Sequence, residues 1–362
     1  MTLSHSCVLS RSLYRRVLLS LNLLCIAAIS APMSGQGIPF QSDVDMRGPA
    51  PWTATPHVSA SDFTFTIFGD RTGMAYPGAM QVAIRHVNDG LNGGDSTSFV
   101  LSVGDNIEGY SRNAQETAAM WNSFDELLIQ LPVPFLRLPG NHDISDPVMD
   151  RVYRQRYGRP YYAFSIQNVL FLMLDTEDGP PELTAEREAE SHRMLEHARE
   201  EGAKHPDQGV VLPNQPDPCN AEATHASLGA LAETHISRAQ LDYFRNVLAQ
   251  YPNARQVLLF MHRPPWREPR SVEFVQLEQM LQGRRYTVFA GHYHQYTHEN
   301  LHGADYYIVG PTAALPRCVR SDVYLNQITQ VHVVGDHVTV ERVMLPVSTT
   351  TNRPTSKTES AQ

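Results

Sequence analysis

Five apolar, β-rich runs in this sequence each stop abruptly at a polar motif. Phe63 to Gly69 precedes Asp70, Phe99 to Gly104 precedes Asp105, and Val133 to Pro139 precedes Gly140-Asn141-His142-Asp143. Gln256 to Met261 precedes His262, and Tyr286 to Ala290 precedes Gly291-His292-Tyr293-His294. Short apolar runs rich in aromatic and β-branched residues read as strands. Helical spacing fills intervals between them: Met80, Ala83, Ile84 and Val87 share a face within Pro77 to Leu91, as do Met120, Phe124, Leu127 and Leu128 within Ala114 to Leu131. Strand, helix and strand again predict an α/β fold whose sheet is covered by helices. In open α/β sheets ligands collect outside the carboxyl ends of the strands, so motifs far apart in the chain are expected to meet at one place.

The residue types in those motifs suit a pair of metal ions. Asp70, Asp105, Asn141, His262, His292 and His294 offer carboxylate, amide and imidazole donors. Two divalent ions held close together need several such ligands, one carboxylate able to bridge, and open positions for water and substrate. Asp105 is the natural bridge, because its run lies between those of Asp70 and Asn141 in motif order. An Asn ligand coordinates through its amide oxygen without adding charge and leaves the ions electrophilic. Taken singly, each residue has an ordinary role, since Asp and Asn after strands are common turn formers. The joint pattern is what points to a binuclear centre.

In this order the motifs resemble the calcineurin-like metallophosphoesterase superfamily, over roughly residues 62–312 and interrupted by an insertion. The resemblance implies an α/β (α+β) architecture, a two-sheet β sandwich core flanked by helices. It also implies a centre of two divalent or trivalent ions, Mn, Zn or Fe, that hydrolyses phosphate esters. Carried over position by position, it places Asp70 and His294 at one ion, Asn141, His262 and His292 at the other, and Asp105 between them. A metal-bound hydroxide would attack phosphorus, and His142 would protonate the leaving oxygen or steady the phosphate.

The chain departs from the family in its first motif. Many members carry Asp-x-His there, whereas Asp70-Arg71-Thr72 puts a poor ligand, Thr72, in the His place and predicts a weakened first site. Glu108 follows Asp105 by three residues, where purple acid phosphatases carry a Tyr ligand and Ser/Thr phosphatases an acid that orients the motif His. We read Glu108 first as orienting His142, second as a ligand, and third as a favourable acid in a first helical turn. Arg71 reads as a contact for substrate phosphate, or as a cation facing solvent.

The rest of the chain bounds these readings. Residues 1–30 combine Arg11, Arg15 and Arg16 with the apolar stretch Val17 to Ile29 and small residues before Ala31, the layout of a secretory signal peptide. The apolar stretch is shorter than the ~20 residues needed to span a bilayer. Cleavage after Ser30 would leave an exported chain, periplasmic or extracellular, with no stable membrane span. The formal charge is −9, and those first 30 residues hold three Arg and no acid, so the remainder carries −12. Such a balance argues against nucleic acid as a partner.

Residues 31–61, rich in Pro, Gly, Ser and Thr, read as a linker or loosely packed arm. A phosphoesterase domain is expected over 62–347, with 176–235 as an insertion or lid and 348–362 as a disordered tail. Tyr161 to Ile166 and Val169 to Leu174 read as a hairpin turning at Gln167-Asn168, so the sheet is not purely parallel. A second hairpin is expected around Val334-Gly335-Asp336. His192, His197, His205, His225 and His235 share no helical face and read as scattered surface residues. Cys219 and Cys318 are compatible with one disulfide and equally with two buried thiols.

Two functions fit these observations. One is an exported metal-dependent hydrolase of phosphate esters. The other is a binding or scaffold protein that keeps the fold with an impaired first metal site. Retention of His142 beside Asn141, His262 and His292 favours the enzyme.

Overall fold

The structure, a computed structural model, describes residues 40–45, 47–94, 97–204, 234–267, 270–315, 322 and 325–346. The expected signal peptide, both mature-chain cysteines and the C-terminal tail lie outside the described residues, as do His205 and His225.

Two mixed sheets face each other. The smaller contains β2 (Phe63–Phe68), β3 (Thr97–Ser102), β4 (Phe135–Leu136), β11 (Gln327–Val334) and β12 (His337–Met344), in the order β12-β11-β2-β3-β4. The larger runs β1-β5-β6-β7-β8-β10-β9, from β1 (Gln41–Ser42), β5 (Tyr162–Ile166), β6 (Val169–Met173), β7 (Gln256–Phe260), β8 (Tyr286–Ala290), β10 (Ala304–Ile308) and β9 (Thr297–Leu301). Within them β2, β3 and β4 are mutually parallel, and so are β6, β7 and β8. All five motif-bearing strands therefore end on the side where a site can assemble.

Alternation along each strand explains the continuous apolar runs. Phe65, Ile67, Phe99 and Leu101 point between the sheets and meet Phe164, Phe171, Leu258, Phe260 and Phe289 from the other side. The opposite faces of the same strands pack on helices. Phe68 and Val100 meet the apolar faces of α1 (Ala79–Gly93), α2 (Ala114–Leu128) and α3 (Pro147–Tyr157). Leu170, Leu259 and Val288 meet α5 (Arg238–Gln250) and α6 (Val272–Met280). A strand buried on both faces has no polar alternation to show. The sandwich flanked by helices agrees with the expected architecture.

Both predicted hairpins are present. Gln167 and Asn168 adopt positive φ, 52° and 63°, as a two-residue turn between antiparallel strands requires. Two features escaped the sequence reading. α3 is capped by the Asp146 side chain on the Val148 N–H with Pro147 in its first turn, and it buries Met149, Val152, Tyr153 and Tyr157. The β9–β10 hairpin adds a further parallel neighbour to β8.

The stretch read as a linker is corrected over residues 40–61. β1 pairs antiparallel with β5, and Thr53 N–H bonds the Phe135 carbonyl while the Arg137 N–H bonds that of Pro51. Trp52 is buried and packs edge-on against Phe40 and Tyr162. A few large aromatics anchor this arm across the open edge of the sandwich, although its Pro and Gly content suppresses any periodic signal.

The segment read as an insertion has a defined stem. His235 donates its N–H to the Thr176 carbonyl and accepts from the Asp178 N–H, which brings the two ends of 176–235 together. Between them α4 (Ala185–Lys204) is largely exposed, but Met194 and Leu195 pack against Met74 and Leu315 beside the motif strands. No helix among the described residues is long and apolar enough to cross a membrane.

Candidate metal centre

Each motif residue sits where its strand stops. β3 lies between β2 and β4 in its sheet, so Asp105 stands between Asp70 and Gly140-Asn141 in space as well as in sequence. β7 and β8 are neighbours in the facing sheet and bring His262, His292 and His294 to the same end. The donor atoms fall into two groups, each within 4.8 Å of one another: Asp105, His262 and His292, and Asp70, Asp105 and His294. Asp105 belongs to both.

Backbone bonds between motifs hold this register. Asp70 accepts the His292 N–H on both carboxylate oxygens, at 2.9 and 3.1 Å, and Asp105 Oδ1 accepts the His142 N–H at 3.0 Å. Asp105, His292 and His294 adopt positive φ, at 54°, 72° and 52°. Such left-handed conformations are uncommon outside Gly, Asn, Asp and His and cluster at functional sites. Two glycines permit the close approach. A Cβ on Gly140 would lie 2.3 Å from Asp105 Oδ1, and one on Gly109 only 1.7 Å from the His142 carbonyl oxygen.

The strongest sign that the pocket is built for cations is a convergence of lone pairs. His262 Nδ1 lies 2.9 Å from the Val103 carbonyl, which can only accept, so that nitrogen carries the proton. Its Nε2 then faces Asn141 Oδ1 at 3.0 Å, His292 Nδ1 at 3.1 Å and Asp105 Oδ1 at 3.3 Å. Asn141 Oδ1 and Asp105 Oδ1 can only accept, so their lone pairs and that of His262 Nε2 repel unless a cation joins them. An imidazole oriented through a backbone carbonyl is also the usual arrangement around a ligating His. Asn141 donates its Nδ2 to Tyr110 Oη at 2.9 Å, and this fixes the amide oxygen toward the cluster.

The electrostatics of the clustered residues point to the same demand for positive charge. Burial pushes Asp70 up to about 6, with the Asp105 charge adding and His262 partly offsetting. Burial opposes the charge on Asp105 too, but His262, His142 and His292 outweigh it and hold its pKa down. His262 is pushed up to about 9, since Asp105 and Asp70 together exceed the effect of burial. Burial, Arg263 and His262 drive His292 well below its ordinary value. A proton on His262 takes the place that a metal ion would claim.

The remaining sequence candidates lie around this cluster in unexpected ways. His142 Nδ1 meets the Glu108 backbone carbonyl at 2.6 Å, and its Nε2 is 3.9 Å from Asp105 Oδ2. The Glu108 carboxylate turns elsewhere: it accepts from the Thr72 hydroxyl and the Ala75 N–H, and it pairs with Arg199 of α4. Orientation of His142 by that carboxylate is thus corrected to orientation by the Glu108 main chain. Among the described residues neither donor group includes Glu108.

Arg71 donates to the Asn106 carbonyl at 2.6 Å and lies over the Phe124 ring, and burial lowers its pKa. Its half-buried guanidinium is packed against the α2 side. Thr72 is fully buried on Glu108.

Three neighbours were not read from the sequence. Tyr110 orients Asn141 and sets its ring edge-on to His142, with centroids 4.8 Å apart. Glu177 and Arg263 pair at 2.7 Å beside His262. Arg263 directly follows a motif residue, which was the available signal, whereas the place of Tyr110 depends on a loop reversal at Gly109. Asp143, the fourth residue of the central motif, accepts four N–H bonds, from Asn106 N, Ile107 N, Asn106 Nδ2 and Gly140 N, and clamps the two ligand turns together.

No curated protein matches the chain. Among solved structures it is similar to a dimetal phosphatase from Danio rerio at 16% identity, covering 78% of this chain and 96% of that one, with a TM-score of 0.48. It is also similar to a putative 5′-nucleotidase from Staphylococcus aureus at 14% identity, covering 79% and 54% with a TM-score of 0.40. A phosphopantetheinyl hydrolase from Mycobacterium tuberculosis shares 16% identity over 76% and 96%, with a TM-score of 0.35. The family model for calcineurin-like phosphoesterases matches residues 63–296, a span that takes in all five motifs, and the chain belongs to that family of metal-dependent phosphoric ester hydrolases.

Proposed function

We propose that this protein is an exported hydrolase of phosphate esters that works with two metal ions. Asp70 and His294 serve one ion, Asn141, His262 and His292 the other, and Asp105 serves both. The observation that carries this reading is the pair of donor groups sharing Asp105, with the acceptor oxygens of Asn141 and Asp105 facing His262 Nε2. When bound, such ions supply a water of lowered pKa and positive charge against the phosphoryl oxygens.

The chain's own residues supply orientation and a proton. His142 keeps Nδ1–H on the Glu108 carbonyl, which leaves Nε2 as the working nitrogen on the Asp105 side. As an imidazolium it donates from Nε2 to the leaving oxygen, and as a neutral ring it is ready to take a proton back. Tyr110 holds the Asn141 amide so that its oxygen, not its nitrogen, faces the cluster. Export is supported by the basic and apolar composition of residues 1–30.

The test is metal analysis of the mature chain combined with assays on generic mono- and diesters in Mn, Zn and Fe. Close to two ions per chain, and turnover abolished by chelator, are expected. Asp105→Asn should lower occupancy of both ions together and nearly abolish turnover, because each ion relies on that carboxylate to offset its neighbour's repulsion. Two ions and normal turnover in that variant would overturn the ligand assignment. One ion or none, without turnover, in the unaltered protein would favour the scaffold.

A further inference from the structure

A cavity of about 380 Å³ opens beside Asn141 and is lined by Tyr110, Glu177 and Arg263 at its base and by Pro181, Thr184 and His235 at its outer wall. The volume is at the small end of the roughly 300–1,000 Å³ typical of small-molecule sites. The base touches the candidate metal centre directly: Tyr110 bonds Asn141, and Arg263 follows His262. The outer wall belongs to the two ends of the insertion, zipped together at Thr176, Asp178 and His235. What fits beside the metal centre is therefore decided by the insertion.

The charges in this cavity are balanced. Glu177 is neutralised by Arg263 in a largely buried pair, with side chains 9% and 17% exposed. The lining also holds one more carboxylate, Glu182, and one more guanidinium, Arg187, which pairs with Glu190 at 3.2 Å. A cavity with as many guanidinium groups as carboxylates makes no demand for a second charge on its occupant. It still offers both donors and acceptors, next to an apolar wall of Ile144, Pro181 and Leu183.

We infer that this cavity receives the leaving alcohol of a small phosphate ester, an uncharged group of sugar or nucleoside size that carries hydroxyl or amine groups on an apolar body. The insertion thereby selects small esters over phosphoproteins. Glu177 and Arg263 supply the hydrogen bonds that recognise the alcohol, and Tyr110 packs beside it while holding Asn141. This inference rests on the phosphoesterase reading above.

Metal-loaded protein would be assayed on a nucleoside 5′-monophosphate, a hexose phosphate, glycerol phosphate and a phosphoseryl peptide. Inhibition by inorganic phosphate, which needs the metal centre alone, would be measured alongside. The first two esters should give the highest kcat/KM. Thr184→Trp and Pro181→Trp, both at exposed positions on the wall, should lower kcat/KM for those two esters by about 10-fold or more through KM. The loss for glycerol phosphate should be smaller, and inhibition by phosphate should persist. A phosphopeptide hydrolysed as well as the small esters, or Trp variants that leave the ratio between large and small esters unmoved, would overturn the inference. Absence of hydrolysis of any ester with ions bound would instead sink the phosphoesterase reading, and this inference with it.

Discussion

His142 Nδ1 lies 2.6 Å from the main-chain carbonyl of Glu108, while the Glu108 side chain faces away and holds Thr72 and Ala75. One residue thus orients the candidate proton donor with its backbone and ties down the loop after Asp70 with its carboxylate. A carbonyl is present whatever side chain the residue carries, so the two tasks separate by mutation.

His142→Ala should leave metal content intact and slow turnover by about 10²–10⁴-fold, the usual worth of a positioned acid or base. The loss should shrink for esters with good leaving groups, which need little protonation. Glu108→Gln should behave differently, lowering thermal stability while turnover changes far less than in His142→Ala. Equal losses for both variants at equal stability would show that the Glu108 carboxylate acts in catalysis.

Thr72→His is expected to lower stability by about 1–3 kcal/mol, because a bulkier ring must enter a fully buried place and the bond to Glu108 is lost. Metal affinity, read by competition with a chelator, should not rise. A tighter first site would mean that position 72 reaches the cluster, and that Thr72 weakens the site as the sequence pattern predicts.

Asp143→Asn should destabilise the fold by roughly 2–4 kcal/mol at pH 8, measured by denaturant unfolding. Burial and the neighbouring Asp105 push Asp143 up to about 7, in spite of its four N–H donors, so the group is ionised at pH 8. An Asn would present its NH₂ to two of those donors. A variant as stable as the parent would remove Asp143 from the clamp between the 105–107 and 140–143 turns.

Asp175 gives a pH-dependent prediction away from the metal ligands. Burial raises its pKa well above the usual carboxylate range, Asp178 adds to the shift while the Glu177 N–H bond to Oδ1 partly offsets it, and Oδ2 has no hydrogen-bond partner among the described residues. A folded value above the unfolded one, about 3.9, means that the group favours the fold fully at low pH, and that this contribution is lost as pH rises through the folded value. Asp175→Asn should therefore raise the melting temperature at pH 8 more than at pH 4.5. A gain independent of pH would show that the carboxylate is not the source of the strain.

Much of the fold and most of the metal cluster follow from local sequence. Strands such as Phe63–Phe68 and Gln256–Phe260 are buried on both faces, so their apolar runs are unbroken and end sharply where the chain leaves the sheet. Those ends carry Asp70 and His262, so the candidate ligand positions are legible in the sequence. Helix α3 and the docked arm at Trp52 were harder to see, because their stability comes from a few large side chains meeting distant partners. The direction of a side chain from a loop is a tertiary matter altogether. Glu108, Arg71 and Tyr110 lie within six residues of Asp70 or Asp105, yet the first two side chains make contacts with neighbouring loops and the third, after the backbone reversal at Gly109, meets Asn141. The cavity beside the centre likewise depends on the insertion returning at His235 to pair with Thr176, a contact across nearly sixty residues that no periodicity records. Burial patterns are written along each strand, whereas the meeting of separate loops is decided only by the packing that brings them together.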